Sequence, residues 1–272
     1  MVRPFEISLV IVFRNLTKIH TKILYFCNIY IYIYIYIYMD YDLVFETRAV
    51  DYNYAVQTYP NILNNELSTA AFMVDAQPNE VIVNIPGACV DISKYLPSSV
   101  IYKPYETNRI FSSLTGISYT ANFDIPEPNN SVDKVISLAS LHHSTDDERI
   151  EFYKSAYRCL KPGGKLIIGD VCIDSQEDKW LNEFVNKFNG HNGKFWSVDD
   201  AKLMHNFNVK TEMKKYPWVF SSQNEMIDFC KHLFGIKNAS DMEIAEGLKK
   251  YLNASVTEFE WSLLYFIAIK PT

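Results

Sequence analysis

Four residues carry most of the reactive chemistry that the sequence offers. His142 and His143 stand side by side just after the apolar run Val135-Ile136-Ser137-Leu138. Asp170 closes the run Leu166-Ile167-Ile168-Gly169, and His191 lies between Gly190 and Gly193. Imidazole titrates nearest neutrality, so a histidine at the mouth of a crevice can serve as a proton acceptor. A carboxylate at the end of a strand can orient an amine or hydroxyl. His143, Asp170 and His191 are therefore the candidate catalytic residues. Each also has a plainer reading: a packed or capping histidine, a turn-capping aspartate, an ordinary solvated loop around His191. Glycines on both sides of that histidine, followed by Phe195-Trp196, also read as a mobile lid over a substrate pocket. His205 and His232 fall inside helical patterns, as surface or packed residues. The spread of His, Asp and Glu shows no metal-ligand spacing, and the five Cys form no CxxC pair. The expectation is no metal site, and free thiols in a reducing compartment.

Those residues need a scaffold, and the chain can supply one. Its 272 residues are 48% apolar and 21% charged with a net charge of −6, the composition of a globular protein able to bury its own core. The acidic balance argues against a basic nucleic-acid surface. A helical lead-in spans Tyr41–Val74 with a break at Pro60. Short β-rich runs follow at 81–85, 100–103 (ending at Pro104), 118–121, 133–138 and 165–169, then near 208–216 and 260–268. Between them lie amphipathic stretches at 106–114, 146–160, 174–189, 198–205, 222–234 and 241–252. Lys161-Pro162-Gly163-Gly164 reads as a turn. Alternating strands and helices predict a largely parallel sheet covered on both faces, with ligands outside the carboxyl ends of its strands.

The block from residue 125 to residue 171 adds a resemblance. Ile125-Pro126, Ser131-Val132-Asp133, Leu141-His142-His143 and Leu160-Lys161-Pro162-Gly163-Gly164 stand where class I S-adenosylmethionine-dependent methyltransferases of the small-molecule type carry their loop, fourth strand, helix and turn. Trp261–Pro271 is similar to that family's closing hairpin strand. The resemblance covers about 78–172 and 260–271. It implies an α/β, Rossmann-like doubly wound, mostly parallel seven-stranded sheet with an antiparallel last strand and helices on both faces. It implies S-adenosylmethionine as cofactor and in-line methyl transfer to a small-molecule acceptor. Such a transfer needs alignment and exclusion of water more than covalent help from the protein.

The same resemblance assigns the cofactor-binding positions, and here the chain departs from the family. The acid that ends the family's first strand is replaced by Asn84. The glycine turn retains only Gly87 between Pro86 and Ala88, and Gly87 should take a conformation that a Cβ penalises. Pro104 falls on the ribose-binding acid, so Glu106 is the substitute. Ala121 and Asn122 fall beside the adenine. Ala139, Ser140 and His142 would line the methionine end. The eroded turn supports an alternative in which a methyltransferase-like domain has lost catalysis and acts as a binding or scaffold module. A nicotinamide oxidoreductase lacks support, since no GxGxxG turn is present.

Residues 1–38 look foreign to this domain. Ile29–Tyr38 repeats Ile-Tyr five times, as an AT dinucleotide repeat translated in frame would. The segment carries four basic residues and one acid, a net +3, whereas 39–272 carries 22 basic and 31 acidic residues, a net −9. The expected organisation is a non-domain extension over 1–38, read as an upstream translated artefact, with a tail or membrane anchor as competing readings. A methyltransferase domain over 39–272 would be cytoplasmic, with no nucleic-acid or membrane partner and no oligomeric state legible.

Overall fold

The structure is a computed structural model, and it describes residues 41–88, 91–121 and 123–272. The proposed extension over 1–38 and the cofactor candidate Asn122 lie outside the described residues.

Helix α1 (Tyr41–Thr58) and α2 (Asn64–Val74) lead into the sheet. Strands β1 (Val81–Asn84) and β2 (Ile101–Glu106) are joined by a loop whose only helical element is the 3-10 turn Ser93–Tyr95. Then come α3 (Arg109–Thr115), β3 (Ser118–Tyr119), β4 (Val132–Leu138), the 3-10 turn Leu141–His143 and α4 (Asp146–Cys159). Strand β5 (Leu160–Asp170) precedes α5, which runs through Gln176–Lys179, a π segment Trp180–Val185 and Asn186–Asn189. A 3-10 helix, Val198–Met204, leads to β6 (Asn208–Val219), α6 (Gln223–Leu233), α7 (Asp241–Leu252) and β7 (Glu258–Ile269).

The seven strands form one sheet in the order β3-β2-β1-β4-β5-β7-β6. β1 to β5 are parallel, and β7 runs antiparallel to both β5 and β6. This is the doubly wound architecture expected from the sequence, with order reversing between β1 and β4. The central strands β4 and β5 are buried on both faces, which is why they read as continuous apolar runs rather than alternating ones.

Local chemistry sets the helix ends. Thr145 and Glu148 form a reciprocal capping box that starts α4, and three acids occupy its first turn. Asn108 caps α3 by accepting from the backbone N–H of Ile110 and Phe111.

Two expectations need correction. The second strand does not stop at Pro104 but continues to Glu106. Glu106 C=O accepts from Thr120 N–H on the β3 side, so Pro104, two residues earlier, turns its N toward that same side. There β3 has not yet begun, since pairing opens at Tyr105–Ser118, and no ladder donor is lost. The Lys161–Gly164 segment is also more than a turn: strand pairing already starts at Leu160, opposite Val132, and resumes with a register shift at Lys165.

Candidate active site

Three histidines meet at the carboxyl ends of β4 and β5. His142 and His143 lie in the 3-10 turn after β4, and His191 arrives from the loop after α5. One nitrogen from each ring lies within 4.8 Å of the others. The ring centroids are 4.1 Å apart for His142–His143, 5.1 Å for His143–His191 and 5.6 Å for His142–His191. They form one wall of a cavity of about 70 Å³. Its other walls come from α1 (Arg48), α2 (Glu66) and the paired indoles of Trp218 on β6 and Trp261 on β7. Because β7 is antiparallel, its first residues lie at the same edge of the sheet as the ends of β4 and β5. The two indoles stack at 4.7 Å.

Sequence distance hides how firmly this wall is built. Asp170, fully buried, accepts from His142 Nδ1 at 2.7 Å through Oδ1 and from the His142 backbone N–H at 3.0 Å through Oδ2. Arg149 on α4 is also fully buried. Its Nε donates to Leu141 C=O at 3.0 Å and its Nη2 to Lys194 C=O, while its guanidinium lies 4.3 Å above the Trp196 ring. One side chain thus ties the loop carrying His142 and His143 to the loop carrying His191. Asn182 adds a two-way bond to the backbone of Gly193, and Lys194 N–H donates to His142 C=O. A Cβ on Gly193 would fall 2.6 Å from Phe195 and 3.0 Å from the His142 ring, so only glycine permits this approach.

His191 is consequently neither a mobile lid nor a solvated loop residue. It is 2% exposed and packed between His142, His143 and Phe195. Asp170 likewise does not face a substrate. Its carboxylate is spent on His142 and on the Val171 N–H, so it positions His142 rather than an acceptor. The sequence displays no metal-ligand spacing, yet folding brings one nitrogen from each of three imidazoles within 4.8 Å of the others.

Electrostatics suit neutral imidazoles. Burial, reinforced by the neighbouring His142 and by Arg48, holds His143 and His191 well below the ordinary histidine value. Across the cavity, burial pushes the Glu66 carboxyl up to about 8 and the Arg48 guanidinium down to about 10. Arg48 Nε and Nη1 and His191 Nδ1 are buried without a hydrogen-bond partner among the described residues, whereas the Glu66 carboxyl has the Trp218 indole and the Tyr216 hydroxyl beside it as partners. Native interiors hold few such atoms, and each costs about 1–3 kcal/mol, so several in one small cavity indicate a site built for a polar ligand. Arg48, Glu66, Arg149, Trp218 and Trp261 were invisible as site residues in the sequence. A charged residue in an otherwise buried helical position, as at Arg149, is the one signal that could have drawn notice.

The positions expected to bind the cofactor lie mostly around the ends of β1, β2 and β4. Asn84 is the buried last residue of β1, and its Nδ2 donates to the Tyr102 hydroxyl at 2.8 Å. Glu106 ends β2, where the family carries its ribose acceptor. It is 1% exposed, and its carboxylate accepts from the backbone N–H groups of Ala88, Thr107 and Asn108 at 3.1, 2.8 and 2.8 Å. Glu106 therefore clamps the turn after β1, a task the sequence did not suggest. Beside it, Thr107 Oγ1 is buried without a partner. Ala139 has a left-handed backbone (φ 48°) at the end of β4, a conformation that costs energy in a residue with a Cβ and concentrates at functional sites. Ser140 follows, with its hydroxyl 3.2 Å from that of Ser137. An orphaned hydroxyl beside a buried carboxylate at the tip of β2, together with the strained crevice residue Ala139, fits a nucleoside-bearing cofactor. Ala121 is exposed at the rim.

Gly87 is needed for a reason other than the one expected. Its φ is not left-handed; instead, its N–H donates to Tyr105 C=O at 2.8 Å, and a Cβ would meet Asn84 C=O at 3.0 Å and the Pro104 side chain at 3.1 Å. Gly87→Val is thus expected to lower stability by about 1–3 kcal/mol through overpacking. Urea unfolding without ligand measures this. An unchanged midpoint would mean that the turn is free to move.

Comparison with known proteins agrees with this geometry. Residues 89–168 match the family model described as a methyltransferase domain. An uncharacterized methyltransferase of Bacillus licheniformis is 28% identical over 109 residues, which are 40% of this chain and 48% of that protein; the match spans about half of the relative's length. Among solved structures, a S-adenosylmethionine-dependent methyltransferase of Thermotoga maritima superposes with a TM-score of 0.52 at 16% identity, covering 84% of this chain and 98% of that one. A phosphoethanolamine N-methyltransferase of Haemonchus contortus, solved with phosphomonomethylethanolamine and S-adenosylhomocysteine, gives a TM-score of 0.51 at 13% identity, over 86% of this chain and 61% of that one. Among the described residues no helix is long and apolar enough to cross a membrane.

Proposed function

From a chain built as a class I S-adenosylmethionine-dependent methyltransferase, we propose transfer of a methyl group from S-adenosylmethionine to a small-molecule acceptor held in the cavity beside the three histidines. The observation that carries this reading is that buried Arg48, Glu66 and His191 line that cavity, with Arg48 Nε and Nη1 and His191 Nδ1 lacking a partner, at the sheet edge where such folds bind their ligands. When bound, S-adenosylmethionine supplies an electrophilic methyl group. Asn84, Ala88, Glu106, Thr107, Ala139 and Ser140 would hold it, with Pro86 and Gly87 shaping the turn. Arg48 would meet an oxygen of the acceptor, and Glu66, protonated at neutral pH, would donate to another. The indoles of Trp218 and Trp261 exclude water and favour a flat or apolar acceptor body. His143 and His191 would face the reacting atom as neutral imidazoles, and Asp170 fixes the orientation of His142.

Cofactor binding tests the reading directly. At a hundred times its dissociation constant, S-adenosylmethionine should stabilise the folded protein by about 2.7 kcal/mol, a rise in the melting midpoint of about 5–10 °C. Glu106→Gln should reduce the rise. Isotope-labelled S-adenosylmethionine then reports turnover on a panel of small acceptors. No rise with either S-adenosylmethionine or S-adenosylhomocysteine, in protein shown to be folded, would favour the scaffold alternative, to which the inward-turned N–H groups of Gly87 and Ala88 lend support.

A further inference from the structure

We propose that His142, His143 and His191 form a binding site for a divalent transition-metal ion of the zinc type, with an open coordination position facing the cavity. The three ligand nitrogens come from two separate loops and lie within 4.8 Å of one another. Tetrahedral Zn–N bonds of about 2.0–2.1 Å set the nitrogens roughly 3.4 Å apart, so loading requires each ring to move inward by less than about an ångström. An all-imidazole donor set selects zinc, iron, nickel, cobalt or copper over magnesium and calcium, which take oxygen ligands.

Three further features match what a metal needs around its ligands. Asp170 holds His142 Nδ1 at 2.7 Å, which fixes the tautomer and leaves Nε2 as the coordinating atom, the usual carboxylate–histidine–metal arrangement. His191 is 2% exposed, and its Nδ1 makes no hydrogen bond to another side chain among the described residues, which leaves the ring open to a ligand. Arg149 and Gly193 hold the two loops in register from outside the cluster without occupying it. Three protein ligands beside a cavity of about 70 Å³ is the pattern of a catalytic site, in which a water or ligand oxygen completes the coordination sphere. Coordination of an acceptor hydroxyl there would lower its pKa and release its proton to solvent, leaving an oxyanion beside Arg48. That last step rests on the methyltransferase reading; the metal site itself does not.

Titration of the full chain, stripped with a chelator, tests the site. Co²⁺ should bind one ion per chain and give the visible ligand-field bands of a low-coordinate nitrogen site, and Zn²⁺ should displace it. Asp170→Asn should weaken Co²⁺ binding by about 10–100-fold, and His191→Ala by more, while exposed His205→Ala leaves it unchanged. Far-ultraviolet circular dichroism confirms that each variant is folded, and His143→Gln provides a second ligand deletion should His191→Ala not fold. Absence of Co²⁺ and Zn²⁺ binding by the folded wild type, or binding that neither ligand deletion weakens, overturns the inference. The melting shift with S-adenosylmethionine is read separately, so loss of metal binding with that shift intact overturns the metal site and not the methyltransferase reading.

Discussion

Between pH 5 and pH 8, the metal-free protein is expected to lose about 3–4 kcal/mol of stability relative to its Glu66→Gln variant. Burial raises the folded carboxyl from its ordinary 4.5 to about 8. A folded pKa above the unfolded one means that the native state retains a proton that the unfolded chain releases. The associated stability is full below about pH 4.5 and is lost as the pH climbs through about 8. At roughly 1.4 kcal/mol per pKa unit, most of that interval falls inside the tested window. Gln carries no titrating proton, so the difference between the two proteins isolates Glu66 from other titrating groups. His143 and His191 act in the opposite sense: their depressed values favour the folded state above the ordinary 6.5, a contribution lost as pH falls below it, and it cancels between wild type and variant. Denaturant midpoints at both pH values measure the effect. Parallel pH profiles would mean that Glu66 is solvated or ion-paired in solution.

Asp170→Ala is expected to cost about 3–5 kcal/mol, a large share of the stability of a domain of this kind. The substitution removes the acceptor for His142 Nδ1 and for the backbone N–H groups of His142 and Val171, in a position with no access to water. Buried donors left without partners carry most of that cost. Asp170→Asn keeps one acceptor oxygen and should recover part of it. Thermal melts of the two variants against wild type provide the measurement. An Ala variant within about 1 kcal/mol of wild type would show that water reaches the end of β5.

The α/β architecture was legible in the sequence because its signals are local. Apolar runs of strand length at 81–85, 133–138 and 165–169 alternate with amphipathic stretches, and Thr145 with Glu148 marks the start of α4 by a spacing of three residues. The methyltransferase block around Leu160–Gly164 is local in the same sense. Pro104 misled because whether a strand tolerates proline depends on which neighbour its nitrogen faces, and that is set by where β3 begins.

The site was legible only in part. His142, His143, Asp170, His191 and Glu106 could be singled out by residue type and by their place after predicted strands. What each does was decided by partners distant in sequence. Asp170 is turned onto His142, Glu106 is drawn into the turn at Ala88, and His191 is packed inward by Arg149, Asn182 and Gly193. Arg48 and Glu66 enter the cavity because α1 and α2 pack over the sheet edge, and the antiparallel turn of β7 brings Trp261 to the same end as Asp170. The sequence by itself determined the strands, the helices and the reactive side chains at their ends. Tertiary packing alone determined which of those side chains share a cavity, since hydrogen bonds, burial and ligand geometry depend on distances in space that linear spacing does not encode.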